Sequence, residues 1–253
     1  MKVFITGASS GIGAALAREF AAHGATLGLV ARREAQLAEL VRNLPGAAHR
    51  IYALDVTDGA ALGEAAAAFM REVGTPEVVI ANAGVSAGTL TERAEDYEVF
   101  RRIVETNLFA TVATFAPFIS AMRHVANARL VGIGSVAGVR GMPGSEAYCA
   151  SKAAVVSYCE SLRLELRATS IRVVTISPGY IATPMTAHNP YRMPFLMPVE
   201  RFAGHAYRAI VRGDSHRIFP WQMAIAARVL RVMPNFLFDR AFERAPRKPR
   251  NRD

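Results

Sequence analysis

Short apolar runs alternate with helical patterns along most of the chain, and this alternation constrains the fold more than any other feature. The strand candidates are KVFIT (2–6), TLGLVA (26–31), RIYALD (50–55), EVVIAN (77–82), RLVGIG (129–134), IRVVTIS (171–177) and HRIFP (216–220). Continuous β-branched runs are typical of strands buried on both faces, and strands that alternate with helices form parallel sheets with right-handed crossovers. The sequence therefore predicts an α/β fold, with a doubly wound parallel sheet of about seven strands between helices.

The length and organisation of the chain favour one domain. It has 253 residues and contains no internal repeat or linker that would divide it. We assign residues 1–243 to this domain, with a substrate lid at 184–212 and an apolar C-terminal extension at 220–243. The last residues, 244–253, are basic and are predicted to be disordered.

Charge and cysteine usage restrict the partners and the compartment. The formal net charge is +9, but no nucleic-acid-binding motif accompanies it, so we expect no nucleic-acid partner. No apolar run is long enough for a membrane-spanning helix. Cys149 and Cys159 fall too far apart on one predicted helix to form a disulfide, and free thiols fit a cytoplasmic protein.

A glycine-rich turn, TGASSGIG (6–13), joins the first strand to the first helix. Such a turn lets backbone N–H groups approach a pyrophosphate at the positive end of a helix dipole. An NAD-binding turn is usually followed, about twenty residues later, by an acidic residue that binds the ribose. Here Arg32 and Arg33 stand at the end of the second strand, and guanidinium groups bind phosphate as bidentate donors. The pattern favours NADP over NAD, although a solvated pair of loop arginines is the alternative.

Tyr148 and Lys152 lie four residues apart and therefore on one helix face. An ammonium beside a phenol would lower the phenol pKa and make it a general acid or base. Ser135 follows the fifth strand, at the edge of the sheet where ligands bind. Asn107 lies inside a helical pattern, where asparagine is unfavourable unless its side chain has a polar role.

Together these pieces resemble the classical short-chain dehydrogenases/reductases, which have a Rossmann-like fold. The resemblance covers roughly residues 1–185 and rests on the following matches, in family order: TGASSGIG (6–13), Asp55-Val56, NAG (82–84), Asn107, Ser135, Tyr148-x-x-x-Lys152 and PGYIAT (178–183).

The resemblance implies a role for each matching residue. Tyr148 would exchange a proton with the substrate oxygen, Lys152 would hold the nicotinamide ribose, Ser135 would polarise the carbonyl, and Asn107 would position a water beside the lysine. No metal site is predicted. The residues expected to bind the cofactor are Gly7, Ser9, Ser10, Gly11, Ile12, Gly13, Arg32, Arg33, Asp55, Val56, Asn82, Ala83, Gly84, Tyr148, Lys152, Pro178, Gly179, Ile181 and Thr183.

We therefore expect an NADP(H)-dependent oxidoreductase that transfers hydride between the nicotinamide and an apolar ketone or secondary alcohol. Two alternatives remain open: an NADP-binding sensor or scaffold without turnover, and a membrane-associated reductase of lipid metabolism. The expected assembly is a homo-oligomer, either a dimer or a tetramer.

The C-terminal third of the chain is harder to interpret. Residues 184–198 are rich in proline and methionine, which suits an adaptable lid or a plain surface loop. Residues 220–242 are apolar around most of a helix, and Pro234 should bend or break it. We expect this wide apolar face to be covered by the protein's own core, by a partner subunit or by a membrane surface. At a membrane, the arginines would contact anionic headgroups.

Overall fold

The structure is a computed structural model and describes residues 1–46, 48–187 and 189–250. His188, within the predicted lid, and residues 251–253 of the predicted disordered tail lie outside the described residues.

A seven-stranded, fully parallel sheet forms the centre of the molecule, in the order β3-β2-β1-β4-β5-β6-β9. Its strands are β1 (Lys2–Thr6), β2 (Thr26–Ala31), β3 (Arg50–Ala53), β4 (Val78–Ala81), β5 (Arg129–Ile133), β6 (Arg172–Pro178) and β9 (His216–Phe219). The strand order reverses between β1 and β4, and ligands bind beside such a switch point. This architecture confirms the predicted fold class.

Helices cover both faces of the sheet and bury two apolar layers. They are α1 (Gly11–Ala22), α2 (Glu34–Arg42), α3 (Gly59–Glu72), α4 (Asp96–Val104), α5 (Ala110–Met122), α6 (Glu146–Glu165), α7 (Pro184–Ala187), α8 (Val199–Arg212), α9 (Trp221–Val232) and α10 (Asn235–Phe242). A small second sheet pairs β7 (Ile181–Ala182) with β8 (Met197–Pro198). Both cysteines are free and buried.

A five-residue π-helical segment, Glu105–Phe109, joins α4 to α5 and contains Asn107. Short π segments inside α-helices often mark functional sites. By length and composition the continuous stretch Asp96–Met122 would also suit a membrane-spanning helix. In this fold it packs against α3 and α6 and contributes Phe115 and Phe118 to the core, as a core helix does.

The C-terminal extension breaks where the sequence predicts it. Helix α9 ends at Val232, and α10 begins after Pro234. Arg140, in the loop that follows β5, joins the two helices: its guanidinium donates to the carbonyls of Leu230 (3.1 Å) and Met233 (2.9 Å) and lies 4.1 Å from the ring centroid of Phe238. The loop that precedes α6 is thus attached to both C-terminal helices.

The opposite face of the C-terminal extension remains exposed. Its apolar stripe consists of Trp221, Ile225, Val229, Val232 and Phe236, which are between 51% and 80% exposed. The prediction that the domain's own core covers this stripe is therefore wrong for the described residues. On the other face of the extension, Met223, Ala227 and Phe238 are buried.

Residues 244–250 differ from the predicted disordered tail. They contain neither helix nor strand, but they lie against the body of the protein. Arg250 pairs with Glu95 and Asp96, and the backbone N–H of Gly88 donates to the carbonyl of Pro249 at 2.9 Å. One of the basic residues on which the prediction of disorder rests, Arg250, is therefore the cation that pairs with Glu95 and Asp96.

Candidate active site

A cleft of about 680 Å³ opens at the carboxyl ends of the central strands. Parallel strands end at one edge, so residues that follow different strands meet there. Of the predicted site residues, this cleft is lined by Gly7, Ser9, Ser10, Gly11, Ile12, Arg32, Arg33, Asp55, Val56, Asn82, Ala83, Gly84, Ser135, Tyr148, Lys152, Pro178, Gly179, Ile181 and Thr183. Gly13 and Asn107 are buried and are not among the lining residues.

The glycine-rich turn is built for close backbone approach. Gly7 and Gly11 have φ angles of +68° and +56°, which L side chains rarely adopt. A Cβ at Gly7 would lie 2.7 Å from the Cα of Ala83, and one at Gly13 would collide with the carbonyl of Gly7. Glycine is therefore required at these positions for the backbone of the turn to pass this close to the loop after β4 and to the start of α1.

Asn82 fastens this turn to the end of β4. Its side-chain amide donates to the carbonyls of Thr6 (3.0 Å) and Gly7 (3.1 Å). In return, the Thr6 hydroxyl accepts the backbone N–H groups of Asn82 (3.2 Å) and Ala83 (3.3 Å). Thr6 was not singled out from the sequence, although it opens the same motif. Its buried hydroxyl links the two strands on either side of the switch point.

The two arginines at the end of β2 have different neighbours. Arg33 donates through Nη2 to the hydroxyls of Ser9 and Ser10, both at 2.9 Å. Arg32 pairs with Asp55 across 3.6 Å. Burial acts to raise the pKa of Asp55, but hydrogen bonds from Thr57 and the Arg32 guanidinium outweigh it, so the pKa is lowered. The corner beside the glycine turn therefore carries two guanidinium groups, of which Asp55 offsets one.

Tyr148, Ser135 and Lys152 come together where α6 passes the end of β5. The Lys152 ammonium is buried, donates to the carbonyl of Ile133 at 2.8 Å, and lies 6.0 Å from the ring centroid of Tyr148. The Ser135 hydroxyl accepts the backbone N–H of Ala137 at 3.1 Å and interacts with the Tyr148 phenol. The site thus has a phenol, a hydroxyl and an ammonium within one short region.

The predicted lowering of the Tyr148 pKa by Lys152 is wrong for this structure. Burial raises the pKa of Tyr148 above its ordinary value, and the hydrogen bond with Ser135 offsets this only in part. Lys152 directs its ammonium to the Ile133 carbonyl, and burial lowers the lysine pKa to about 8. Spacing along a helix could not reveal this, because burial depends on which distant segments cover the site.

Asn107 is completely buried and connects three segments. Its Oδ1 accepts the backbone N–H of Val85 at 2.8 Å, and its Nδ2 donates to the carbonyl of Val85 (3.1 Å) and the hydroxyl of Ser151 (2.9 Å). A Cβ at Gly84 would lie 3.2 Å from Asn107 Oδ1 and 3.4 Å from Lys152 Nζ. Asn107 therefore fixes the loop after β4 to α6 and stands close to the lysine.

Other residues near the site were missed by sequence reasoning. Tyr191, from the segment predicted as a lid, is close enough to Tyr148 to raise its pKa, and its ring lies 6.4 Å from that of Tyr180. Lys248, from the tail, lies 5.3 Å from the Tyr148 ring centroid. No spacing rule links such positions, so the sequence offered no signal for them.

The donor set fits a nicotinamide dinucleotide. The turn leads into the N-terminus of α1, where backbone N–H groups have no partner within the helix, Asp55 lines the cleft beside Arg32, and the small residues Ala83 and Gly84 line another part of it. Gly179, Ile181 and Thr183 line the far end beside Tyr148 and Lys152. The turn would hold the pyrophosphate, Asp55 would lie beside the adenosine, and the far end would hold the nicotinamide.

Comparison with known proteins agrees with this geometry. Residues 1–192 match the family described as short chain dehydrogenase. An uncharacterized oxidoreductase of Myxococcus xanthus is 40% identical over 242 residues, covering 95% of each chain. A putative ketoacyl reductase of the granaticin polyketide synthase of Streptomyces violaceoruber is 36% identical over 185 residues, covering 72% of this chain and 68% of the relative.

A solved structure extends the comparison to three dimensions. The serine dehydrogenase of Escherichia coli superposes with a TM-score of 0.71 at 27% identity, covering 83% of this chain and 91% of that one. The family match spans more than half of the chain, and the family uses a nicotinamide dinucleotide as cofactor. The protein therefore belongs to the short-chain dehydrogenase/reductase family of oxidoreductases.

Proposed function

We propose that the protein is an NADP(H)-dependent reductase that transfers hydride between the nicotinamide and a ketone or secondary alcohol. The observation that carries the cofactor choice is Arg33, whose guanidinium reaches over the phosphate-binding turn to Ser9 and Ser10. A 2′-phosphate at this corner would meet two guanidinium groups. A bare ribose would find no carboxylate at the end of β2, because the nearest acidic residue in the cleft lining, Asp55, follows β3 and already pairs with Arg32.

The bound cofactor supplies the hydride. In the direction of carbonyl reduction, the Tyr148 hydroxyl donates its proton to the substrate oxygen while the Ser135 hydroxyl holds and polarises that oxygen. The raised pKa of Tyr148 keeps the phenol protonated at neutral pH, as a proton donor must be. Lys152 contributes a buried cation beside the ribose end of the cleft, and Asn107 positions the neighbouring loop.

Two names among the relatives favour this chemistry. The Streptomyces relative is named a ketoacyl reductase and the Escherichia coli structure a serine dehydrogenase. The apolar side chains of Ile181, Pro184 and Met185 along the far end of the cleft favour a substrate with an apolar body.

The cofactor proposal is tested by measuring kcat/KM with NADPH and NADH over a panel of ketones. We expect a strong preference for NADPH, and Arg33→Ala should reduce that preference on the order of tenfold or more, as the loss of a charge-assisted phosphate contact does. Arg42→Ala, which removes an exposed arginine at the end of α2, is the matched control and should leave the preference unchanged. Equal rates with the two cofactors would contradict the proposal.

Turnover itself is tested with Tyr148→Phe. The variant should lose about 10²- to 10⁴-fold in kcat, because general acid catalysis is removed, while it still binds NADPH. A sensor or scaffold without turnover would show no ketone-dependent NADPH oxidation in the unmodified protein, so the two classes are separated by one assay.

The exposed apolar stripe of α9 and α10 favours the second candidate, a reductase that works at a membrane surface. Arg228 and Arg231 flank the stripe and are exposed, as anionic headgroups would require. Flotation with anionic vesicles tests this idea. Val229→Asp combined with Phe236→Asp should abolish flotation, whereas Leu164→Asp, at an exposed apolar position on α6, should not. If the unmodified protein stays in solution, the membrane candidate is rejected.

A further inference from the structure

Residues 247–250 contact two loops that lie near the cleft, one after β4 and one before α6. On one side, the Gly88 N–H donates to the carbonyl of Pro249 at 2.9 Å. On the other, the Arg247 side chain packs on Gly144, where an added Cβ would lie 3.0 Å from the Cβ of Arg247. The tail thus bridges the loop after β4 and the turn that precedes α6.

Arg250 anchors this bridge. Its guanidinium donates to both carboxylate oxygens of Asp96, each at 2.8 Å, and to Glu95 at 3.1 Å. The side chains of Arg250 and Asp96 are only 22% and 8% exposed, so this bidentate pair is partly protected from solvent. Bidentate pairs add geometric specificity as well as energy, so this contact ties the tail to the start of α4.

The anchored backbone directs Lys248 towards the reactive tyrosine. Its ammonium donates to the hydroxyl of Ser86, which lines the cleft, and lies 5.3 Å from the ring centroid of Tyr148. Lys248 is half-buried, and desolvation lowers its pKa. Among the described residues it takes part in no ion pair, in contrast to Arg250 on the same tail.

A half-buried ammonium that has a hydroxyl and an aromatic ring for neighbours, but no carboxylate, is unfavourable until an anion pairs with it. The Tyr148 ring and the Cys149 thiol lie near the ammonium, and burial raises the pKa of both side chains, so neither supplies the negative charge. The Glu146 carboxylate acts on Cys149 but accepts the Thr89 hydroxyl at 3.0 Å and forms no ion pair with Lys248 among the described residues. Ser86 and Tyr148, two neighbours of the ammonium, both line the cleft, so an anion bound in the cleft could reach Lys248.

We propose that Lys248 is a specificity-determining residue that binds a carboxylate on the substrate, so that the preferred substrates are oxo-acids or hydroxy-acids with an apolar body. This inference rests on the proposed reductase function. It assigns the tail a part in substrate choice, and Ser86 holds the ammonium in place before the carboxylate arrives.

The test compares aliphatic oxo-acids, with the ketone at several distances from the carboxylate, with their methyl esters at saturating NADPH. The measured quantity is the acid-to-ester ratio of kcat/KM. We expect a ratio above one for the best chain length, and a fall on the order of tenfold in Lys248→Met, as for the loss of a hydrogen bond to a charged group. Lys248→Arg keeps the positive charge and should retain most of the preference.

Arg244→Gln is the matched control, because it removes a cation from the same tail at a side chain that is 94% exposed. Its ratio should equal that of the unmodified protein. A ratio at or below one for every chain length, or an unchanged ratio in Lys248→Met, would overturn the proposal.

A binding measurement separates this proposal from the reductase function. If no ketone or ester oxidises NADPH, the reductase function fails, and calorimetric titration of an unreactive alkanoate into the NADP-saturated protein then decides the role of Lys248. Tighter binding to the unmodified protein than to Lys248→Met, by about tenfold, would support a carboxylate site. Equal affinities would reject it.

Discussion

The two walls of the cleft are built in different ways. The cofactor wall consists of strand ends and the turns that follow them, and its strictest requirements concern backbone space at Gly7 and Gly13. The substrate wall is assembled from segments that are remote in sequence: 95 residues separate Arg140 from Asn235, 154 separate Arg250 from Asp96, and 162 separate Lys248 from Ser86.

This contrast shows where the molecule is rigid and where it can vary. The cofactor wall cannot change without disturbing β1, α1 and β4, which belong to the core. The substrate wall depends on a few polar contacts near the surface, and regions of this kind open with less free energy than core strands. The substrate wall can therefore change in sequence, and with it the preferred substrate, while the cofactor wall stays the same.

The largest expected effect comes from Gly13→Ala. The new methyl group would collide with the Gly7 carbonyl, so we expect a loss of about 1–3 kcal/mol in the free energy of unfolding and weaker NADPH binding. Urea denaturation and fluorescence titration with NADPH measure the two effects. Gly63→Ala makes the same change inside α3, where no atom lies within 4 Å, and should stabilise the protein by about 0.5–1 kcal/mol. Similar behaviour of the two variants would remove the distinction between the walls.

An intermediate effect is expected from the pH dependence of Lys152→Met. Burial lowers the lysine pKa from 10.5 to about 8 in the folded protein, so between these values the unfolded chain binds more protons than the folded one. The free energy of unfolding of the unmodified protein should therefore rise with pH across this window relative to that of the variant, and the difference should be flat below it. Denaturant unfolding of both proteins at several pH values measures the difference. A difference that falls with rising pH would contradict the burial of this ammonium.

The smallest effect on global stability is expected from Arg250→Gln, on the substrate wall. Ion pairs near the protein surface add little to global stability, so the melting temperature should change little. The Gly88 amide, which donates to Pro249, should nevertheless exchange its hydrogen faster once the tail is released. Hydrogen exchange followed by NMR resolves this single amide, with Arg244→Gln as the control. Unchanged protection at Gly88 would show that the tail is held by other contacts.

The same contrast explains what the sequence could and could not predict. All seven strands of the main sheet, the turn at 6–13 and the break at Pro234 were predictable, because each follows from local composition, periodicity or a backbone requirement. The helical stretch that contains Asn107 was predicted as well, but its π segment was not, since that geometry depends on the fit of Asn107 between Val85 and Ser151.

The pKa of Tyr148 and the path of the tail were the principal errors. A lysine four residues away predicts a lowered tyrosine pKa, whereas burial, which depends on tertiary packing, raises it. The charge of the tail predicts disorder, whereas Arg250 binds the carboxylates of Glu95 and Asp96. Pairing between distant charged residues leaves no periodic pattern in one sequence.

Arg140 has a consequence for how the protein opens. Its guanidinium donates to carbonyls at the C-terminal end of α9 and to the side chain of Asn235 in α10, and Arg140 itself belongs to the loop between Ser135 and Tyr148. We therefore expect the terminal helices and that loop to open as one unit, because local opening follows contiguous contacts. A substitution that destabilises α9 should then also raise the open population of the segment between Ser135 and Tyr148.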